Sequence, residues 1–84
     1  MIPREERPIM RVIGRNAEIF FKESGMKKTH FTEAIGWSAN TARLDKLFRG
    51  EVEVYAGTIQ LIAEALGVET MDLFDGLYKK DILR

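Results

Sequence analysis

Ile9, Val12, Ile13, Ala17, Phe20 and Phe21 recur at intervals of three and four residues between charged and polar positions. That spacing puts them on one stripe of a helix. The helix is predicted from about Pro8 to Ser24, with Pro8 in the first turn, where its missing N–H is not needed. Gly14 interrupts the stripe and costs roughly 1 kcal/mol relative to alanine in a helix. Either the helix starts later or a partner packs closely against it. A second, short helix is predicted over about Lys28 to Ile35, with Phe31, Ala34 and Ile35 as its inner face. A third follows over about Thr41 to Arg49. Asn40 can cap it through its side-chain oxygen. Leu44 and Leu47, with Phe48, point inward; Thr41, Ala42, Arg43, Asp45, Lys46 and Arg49 stay outside.

The stretch EVEVYAG alternates charged and apolar residues as a strand would. A lone strand has no mate in so short a chain, so a loop is expected. A fourth helix is predicted over about Ala56 to Leu66, burying Ile59, Ile62, Ala63 and Leu66. A fifth is predicted over about Thr70 to Leu77, burying Leu73 and Phe74. Gly25, Gly36, Gly50 and Gly67 each follow one of these segments, where glycine tolerates a left-handed helix cap. The pattern implies an all-α fold of five helices in a single domain, residues 1–84. Its core spans about 8–77, with an N-terminal arm at 1–7 and a tail at 78–84.

Composition narrows the chemistry. The chain has no cysteine and a single histidine, His30, which excludes a disulfide staple, a thiolate metal site and a His-based metal cluster. A reducing cytoplasm is the expected compartment. No apolar run approaches the roughly 20 residues that span a bilayer. MIPREERP also lacks the apolar stretch of a secretory signal. Formal net charge is zero. Its distribution is uneven: residues 1–50 carry ten bases and six acids, and residues 51–84 carry three bases and seven acids. A neutral molecule can therefore still present a basic face.

The sequence contains no phosphate-cradling glycine loop, nucleophile elbow or metal-spaced cluster. His30 has no paired nucleophile. A non-enzyme with no cofactor is expected. The informative feature is a pair of short helices separated by Gly36–Ala39. A helix, a glycine-containing turn and a second helix make the helix-turn-helix unit, whose second helix enters the major groove of DNA. Short Thr41 and Ala42 let such a helix approach the groove floor. Arg43 has the fork that matches guanine O6 and N7.

From about Ile13 to Phe74 the chain resembles the lambda-repressor-like, Cro/repressor-type helix-turn-helix domains, also called the XRE family. The stretches GMKKTHFTEAIG, LDKLFRG and TIQLIAEALGVETMDLF carry the resemblance. It implies a five-helix bundle, operator DNA as ligand and a homodimer on a palindromic site. No membrane partner and no small-molecule effector are expected. On this reading Asn40, Thr41, Ala42, Arg43 and Lys46 face bases, while Lys27, Lys28 and Arg49 contact phosphates. The chain then acts as a transcriptional regulator, a repressor, reading its operator with the third helix.

Three departures from the family pattern stand out. Lys27-Lys28 replaces a common Thr-Gln pair, so a point charge takes the place of an amide grip. The segment between Gly36 and Gly50 is about two residues longer than usual. With Asn40 as cap, Thr41, Ala42 and Lys46 face the bases; with Ser38 as cap, Ala39, Asn40 and Arg43 would. An inward Leu44 favours the first register. Last, the loop after Gly50 carries Glu51 and Glu53, which repel phosphate. Those acids and the acidic second half motivate an alternative: a protein-interaction module, antitoxin-like or a phage regulatory partner, on the same scaffold.

Trp37 in the turn is expected to cap the core, with insertion into DNA as the lesser option. Arg4 and Arg7 in the arm either reach a groove or stay solvated. Leu77, Tyr78, Ile82 and Leu83 in the tail either pair two subunits or fold back on their own chain.

Overall fold

A computed structural model describes residues 8–76. Four α-helices follow one another: α1 Pro8–Ser24, α2 Lys28–Ala34, α3 Thr41–Phe48 and α4 Ala56–Leu66. A 3₁₀ helix, Thr70–Phe74, comes last. The described residues contain no strand.

The inner stripe of α1 is Met10, Ile13, Ala17 and Phe21, spaced by three, four and four residues and all buried. Ile9, expected inside, lies on the flank at 37% exposure, and Met10 takes the inward place. Against this stripe pack Phe31 and Ile35 of the second-helix region, Leu44, Leu47 and Phe48 of α3, Ile62 and Ala63 of α4, and Leu73. Ala34 points outward, and Thr32 joins Phe31 as a buried α2 residue instead. Its hydroxyl donates to the Thr29 carbonyl at 3.0 Å, so the burial leaves no orphan donor. Phe21, Phe31 and Phe48 form an aromatic triangle with centroids 5.5, 5.5 and 6.4 Å apart. These separations fall in the favoured range for ring pairs.

Gly14 resolves the ambiguity in α1. The helix runs through it, and the backbone of the last turn of α3 lies directly against it. A Cβ there would overlap the Leu47 carbonyl oxygen and sit 3.0 Å from that of Phe48. Just past α3, Gly50 (φ +75°) approaches Arg11 of α1 in the same way, with a would-be Cβ 2.8 Å from the Arg11 Cα. These two glycines let α1 and α3 cross backbone to backbone.

The segment 51–55 is a loop, as expected. Its alternation still has meaning: Val52 and Val54 are half-buried against the core, while Glu51 and Glu53 face out. The predicted fifth α-helix is instead the 3₁₀ turn Thr70–Phe74. A capping box between Glu69 and Asp72 starts it. It stops where Asp75 becomes extended and Gly76 adopts φ +92°, too soon for an α-helical ladder to close. Leu77 and the tail, like the arm 1–7, lie outside the described residues. Asn16 ties α1 to this last turn: its amide donates to the Leu73 and Asp75 carbonyls, both at 2.9 Å.

Candidate nucleic-acid interface

The pair α2 and α3 is joined by residues 35–40. The N–H of Gly36 donates to Glu33 (3.1 Å) and that of Trp37 to Thr32 (2.8 Å), which closes α2 in a Schellman motif. The chain passes through two left-handed residues, Gly36 (φ +82°) and Ser38 (φ +50°), on either side of Trp37. The Asn40 N–H donates back to the Trp37 carbonyl at 3.1 Å. The side-chain oxygen of Asn40 accepts from the Arg43 N–H at 3.1 Å. Asn40 is therefore the cap of α3, and the register with Ser38 as cap does not occur. At its other end, the N–H groups of Gly50 and Glu51 donate to Leu47 and Lys46, each at 2.9 Å, and close the helix.

This register buries Leu44, Leu47 and Phe48 and leaves the opposite side of α3 uncovered. Asn40, Ala42, Arg43, Lys46 and Arg49 are exposed, and Thr41 and Asp45 are half-buried. Of the five residues expected to face bases, Asn40, Ala42, Arg43 and Lys46 are exposed and Thr41 is half-buried, and they run from the cap of α3 to its last turn. Lys27 is exposed at the start of α2. Its backbone is extended and its side chain caps nothing.

Two of the expected phosphate ligands are already engaged. Lys28 Nζ donates to Asp45 Oδ1 at 2.8 Å, bridging α2 and α3. Arg49 grips Glu51 with two bonds, Nε to Oε2 at 2.9 Å and Nη2 to Oε1 at 3.2 Å. The Arg49 hydrogen bond, then its charge and that of Lys46, hold the Glu51 carboxyl below its ordinary range. The same hydrogen bond and the Glu51 charge push the Arg49 guanidinium up. Glu51, read from sequence as a residue that repels phosphate, has its charge countered within the chain.

Arg43 has a different neighbour. Its Cζ lies 4.2 Å from the centroid of the Trp37 ring. Trp37 itself is half-buried and packs against the core. Next to Arg43, the loop Glu51–Tyr55 borders an open groove of about 500 Å³. Tyr55 stands out of it at 87% exposure. Sequence reasoning did not single out Tyr55, Asp45 as a partner for Lys28, or Trp37 as a partner for Arg43. None of these shows a periodicity, because each depends on how the turn is folded.

His30 is exposed on α2, and no group of three His, Cys, Asp or Glu among the described residues is placed to hold a metal ion. No described helix is long and apolar enough to cross a membrane.

No protein-family model and no curated protein matches the sequence. Solved structures are similar in fold. One is the restriction-modification controller protein C.AhdI from Aeromonas hydrophila, 19% identical with a TM-score of 0.70, covering 81% of this chain and 96% of that one. Another is the clp gene regulator ClgR from C. glutamicum, 24% identical with a TM-score of 0.70, covering 79% of this chain and 83% of that one. At such identities the likeness is one of fold, and that fold is all-helical among the described residues, with α2 and α3 set as a helix-turn-helix unit as the resemblance in sequence implied.

Proposed function

We propose that the protein is a sequence-specific DNA-binding transcriptional regulator, a repressor that acts as a homodimer and reads double-stranded operator DNA with α3. The observation that carries this reading is the uncovered side of α3. A helix capped by Asn40 and braced by α1 and α2 leaves Ala42, Arg43 and Lys46 exposed and Thr41 half-exposed. Short side chains near its start and cations further on suit entry into a major groove. Asn40, Thr41, Ala42, Arg43 and Lys46 then face bases. Lys27 contacts phosphate directly, and Lys28 and Arg49 do so by leaving their carboxylates. The two similar structures, a restriction-modification controller and a clp gene regulator, support a regulatory role.

Dimerisation supplies contacts that one module lacks: specific DNA interfaces bury about 1,000–2,500 Å² of protein surface, and single modules fall below that. Selection of bound sites from a random duplex library tests the reading. An enriched half-site, repeated in inverted order, is the expected result, with affinity falling as salt rises. A library from which nothing is enriched would end it.

A second reading, a protein-interaction module on the same scaffold, draws on one observation. Lys28 and Arg49 are internally neutralised, and Asp45, Glu51 and Glu53 share their surface. Stoichiometric capture of a protein partner, with no duplex retardation at low salt, is the outcome that favours it.

A further inference from the structure

The longer turn places the indole of Trp37 beneath Arg43, and both are held from several sides. The Trp37 backbone is fixed by the bonds from its N–H to Thr32 and from the Asn40 N–H to its carbonyl. Its ring packs on the core. The Arg43 backbone is fixed by the cap, since its N–H is the one that Asn40 accepts. Only the long side chain of Arg43 is left to be ordered, and its Cζ rests 4.2 Å from the ring centroid.

Two other basic groups near α3 differ. Lys28 and Arg49 spend donors on carboxylates. Among the described residues, Arg43 has no carboxylate at ion-pair distance. Attraction to a ring face is electrostatic and needs none of the acceptors that guanidinium donors otherwise seek. Arg43 is thus restrained without being used up. A restrained fork loses less freedom when it binds, so more of its hydrogen-bond energy appears as affinity.

Resting on the DNA-binding reading above, we infer that Trp37 is a positioning residue: it holds Arg43 ready to donate in bidentate fashion to guanine O6 and N7 in the major groove. Trp37 is then a determinant of specificity at one base pair, beyond its place on the core.

The full chain, with Trp37→Leu, Trp37→Phe, Arg43→Ala and the double variant Trp37→Leu/Arg43→Ala, provides the test. Duplexes are the selected site and versions changed at one base pair at a time. Arg43→Ala lowers affinity for the selected site by about 5- to 150-fold and abolishes preference at one guanine, the range for losing a bidentate base contact. Trp37→Leu lowers preference at that same guanine by about two- to fivefold, the range for an exposed cation–π contact. In the Arg43→Ala background it lowers preference no further. Trp37→Phe retains a ring face and keeps most of the preference; if the leucine variant does not fold, the cycle is run with Trp37→Met, which keeps apolar bulk without a ring face.

The stack has its own readout without DNA. Trp37 is the only tryptophan, so Arg43→Ala shifts the intrinsic emission to longer wavelength as the indole gains water. An unchanged spectrum overturns the inference. So does a Trp37→Leu variant that weakens every duplex alike, to the same extent with and without Arg43, which is the mark of a purely structural residue. A wild-type chain that prefers no duplex overturns the DNA-binding reading and this inference together, whereas a wild-type chain that selects a site with an additive cycle overturns the inference alone.

Discussion

Gly14→Ala puts the crossing of α1 and α3 to a direct test. In an exposed helix this change stabilises by roughly 1 kcal/mol, because alanine loses less backbone freedom. Here the added methyl would overlap the Leu47 carbonyl oxygen and sit 3.0 and 3.1 Å from the Phe48 carbonyl oxygen and carbon. All three are backbone atoms, so no side chain can rotate away. The Leu47 carbonyl also accepts the Gly50 N–H that closes α3. Restoring ordinary contact distances requires α3 to move outward by about 1 Å. That shift loosens Leu44 and Leu47, both fully buried. Overpacking of this kind costs about 1–3 kcal/mol, and more where the obstacle is rigid.

Against rigid backbone the cost lies at or above the top of that range, about 2–4 kcal/mol, and the roughly 1 kcal/mol gained in propensity leaves an expected net loss of about 1–3 kcal/mol in Gly14→Ala. It corresponds to a melting temperature lower by about 5–20 °C for a domain of this size. Urea unfolding followed by circular dichroism measures it. Gly57→Ala is the matched control: it lies in the first turn of α4, and a Cβ there meets nothing within 4 Å. It should be neutral or more stable by up to about 1 kcal/mol. A Gly14→Ala protein as stable as the wild type would refute the backbone-to-backbone crossing.

Other predictions concern α3 and its surroundings. Asn40→Ala removes the oxygen that accepts the Arg43 N–H. It should cost about 1 kcal/mol in urea unfolding, with Asn40→Asp close to wild type; no loss would mean that the cap does not stabilise α3. Asp45→Asn frees Lys28, and should change stability by less than about 1 kcal/mol because both side chains remain about half open to solvent. It should also tighten duplex binding at low salt, and an unaltered affinity would show that Lys28 reaches no phosphate. The Glu51 carboxyl, followed by NMR, should titrate below its ordinary 4.5, and Arg49→Ala should return it upward. Since the folded value is the lower one, whatever stability the pair adds is present above the unfolded pKa and is lost as pH falls through the folded one.

The helices are legible where a local rule decides them. α1 and α4 have the bounds that periodicity and flanking glycines imply, Pro8–Ser24 and Ala56–Leu66. Asn40 was readable as a cap because the residue four positions on, Leu44, had to point inward. Gly14 was readable only as a choice between a late start and a close neighbour; choosing needs the position of α3. The last element failed because TMDLF is too short for periodicity to separate a 3₁₀ turn from an α-helix. At the interface, side-chain identity and exposure were legible, but pairing was not. Lys28 and Asp45 are 17 residues apart and meet only once α2 and α3 are docked. Arg49 and Glu51 are two apart, and the closure around Gly50 brings their side chains together. Trp37 reaches Arg43 because Ser38 adopts a left-handed conformation that its residue type does not announce.

These pairings bear on the apparent conflict between a neutral chain and the polyanionic ligand proposed for it. Among the described residues, Lys27 and Lys46 have no carboxylate at ion-pair distance, whereas Lys28 and Arg49 do. Each phosphate neutralised on duplex DNA contributes about −0.9 to the slope of log affinity against log salt. If the two ion pairs survive binding, only Lys27 neutralises a phosphate, and the slope is about −1 per module. If phosphates displace Asp45 and Glu51, the slope steepens towards about −3 per module. Displacement then leaves two carboxylates beside the duplex, so its benefit is smaller than the counterion count suggests. An acid left at 45 on α3 can accept only from an exocyclic amino group, that of cytosine or adenine. On that account the carboxylates make phosphate attraction weak and leave discrimination to Arg43 and its neighbours, which is the balance a regulator needs when nonspecific duplex is in excess.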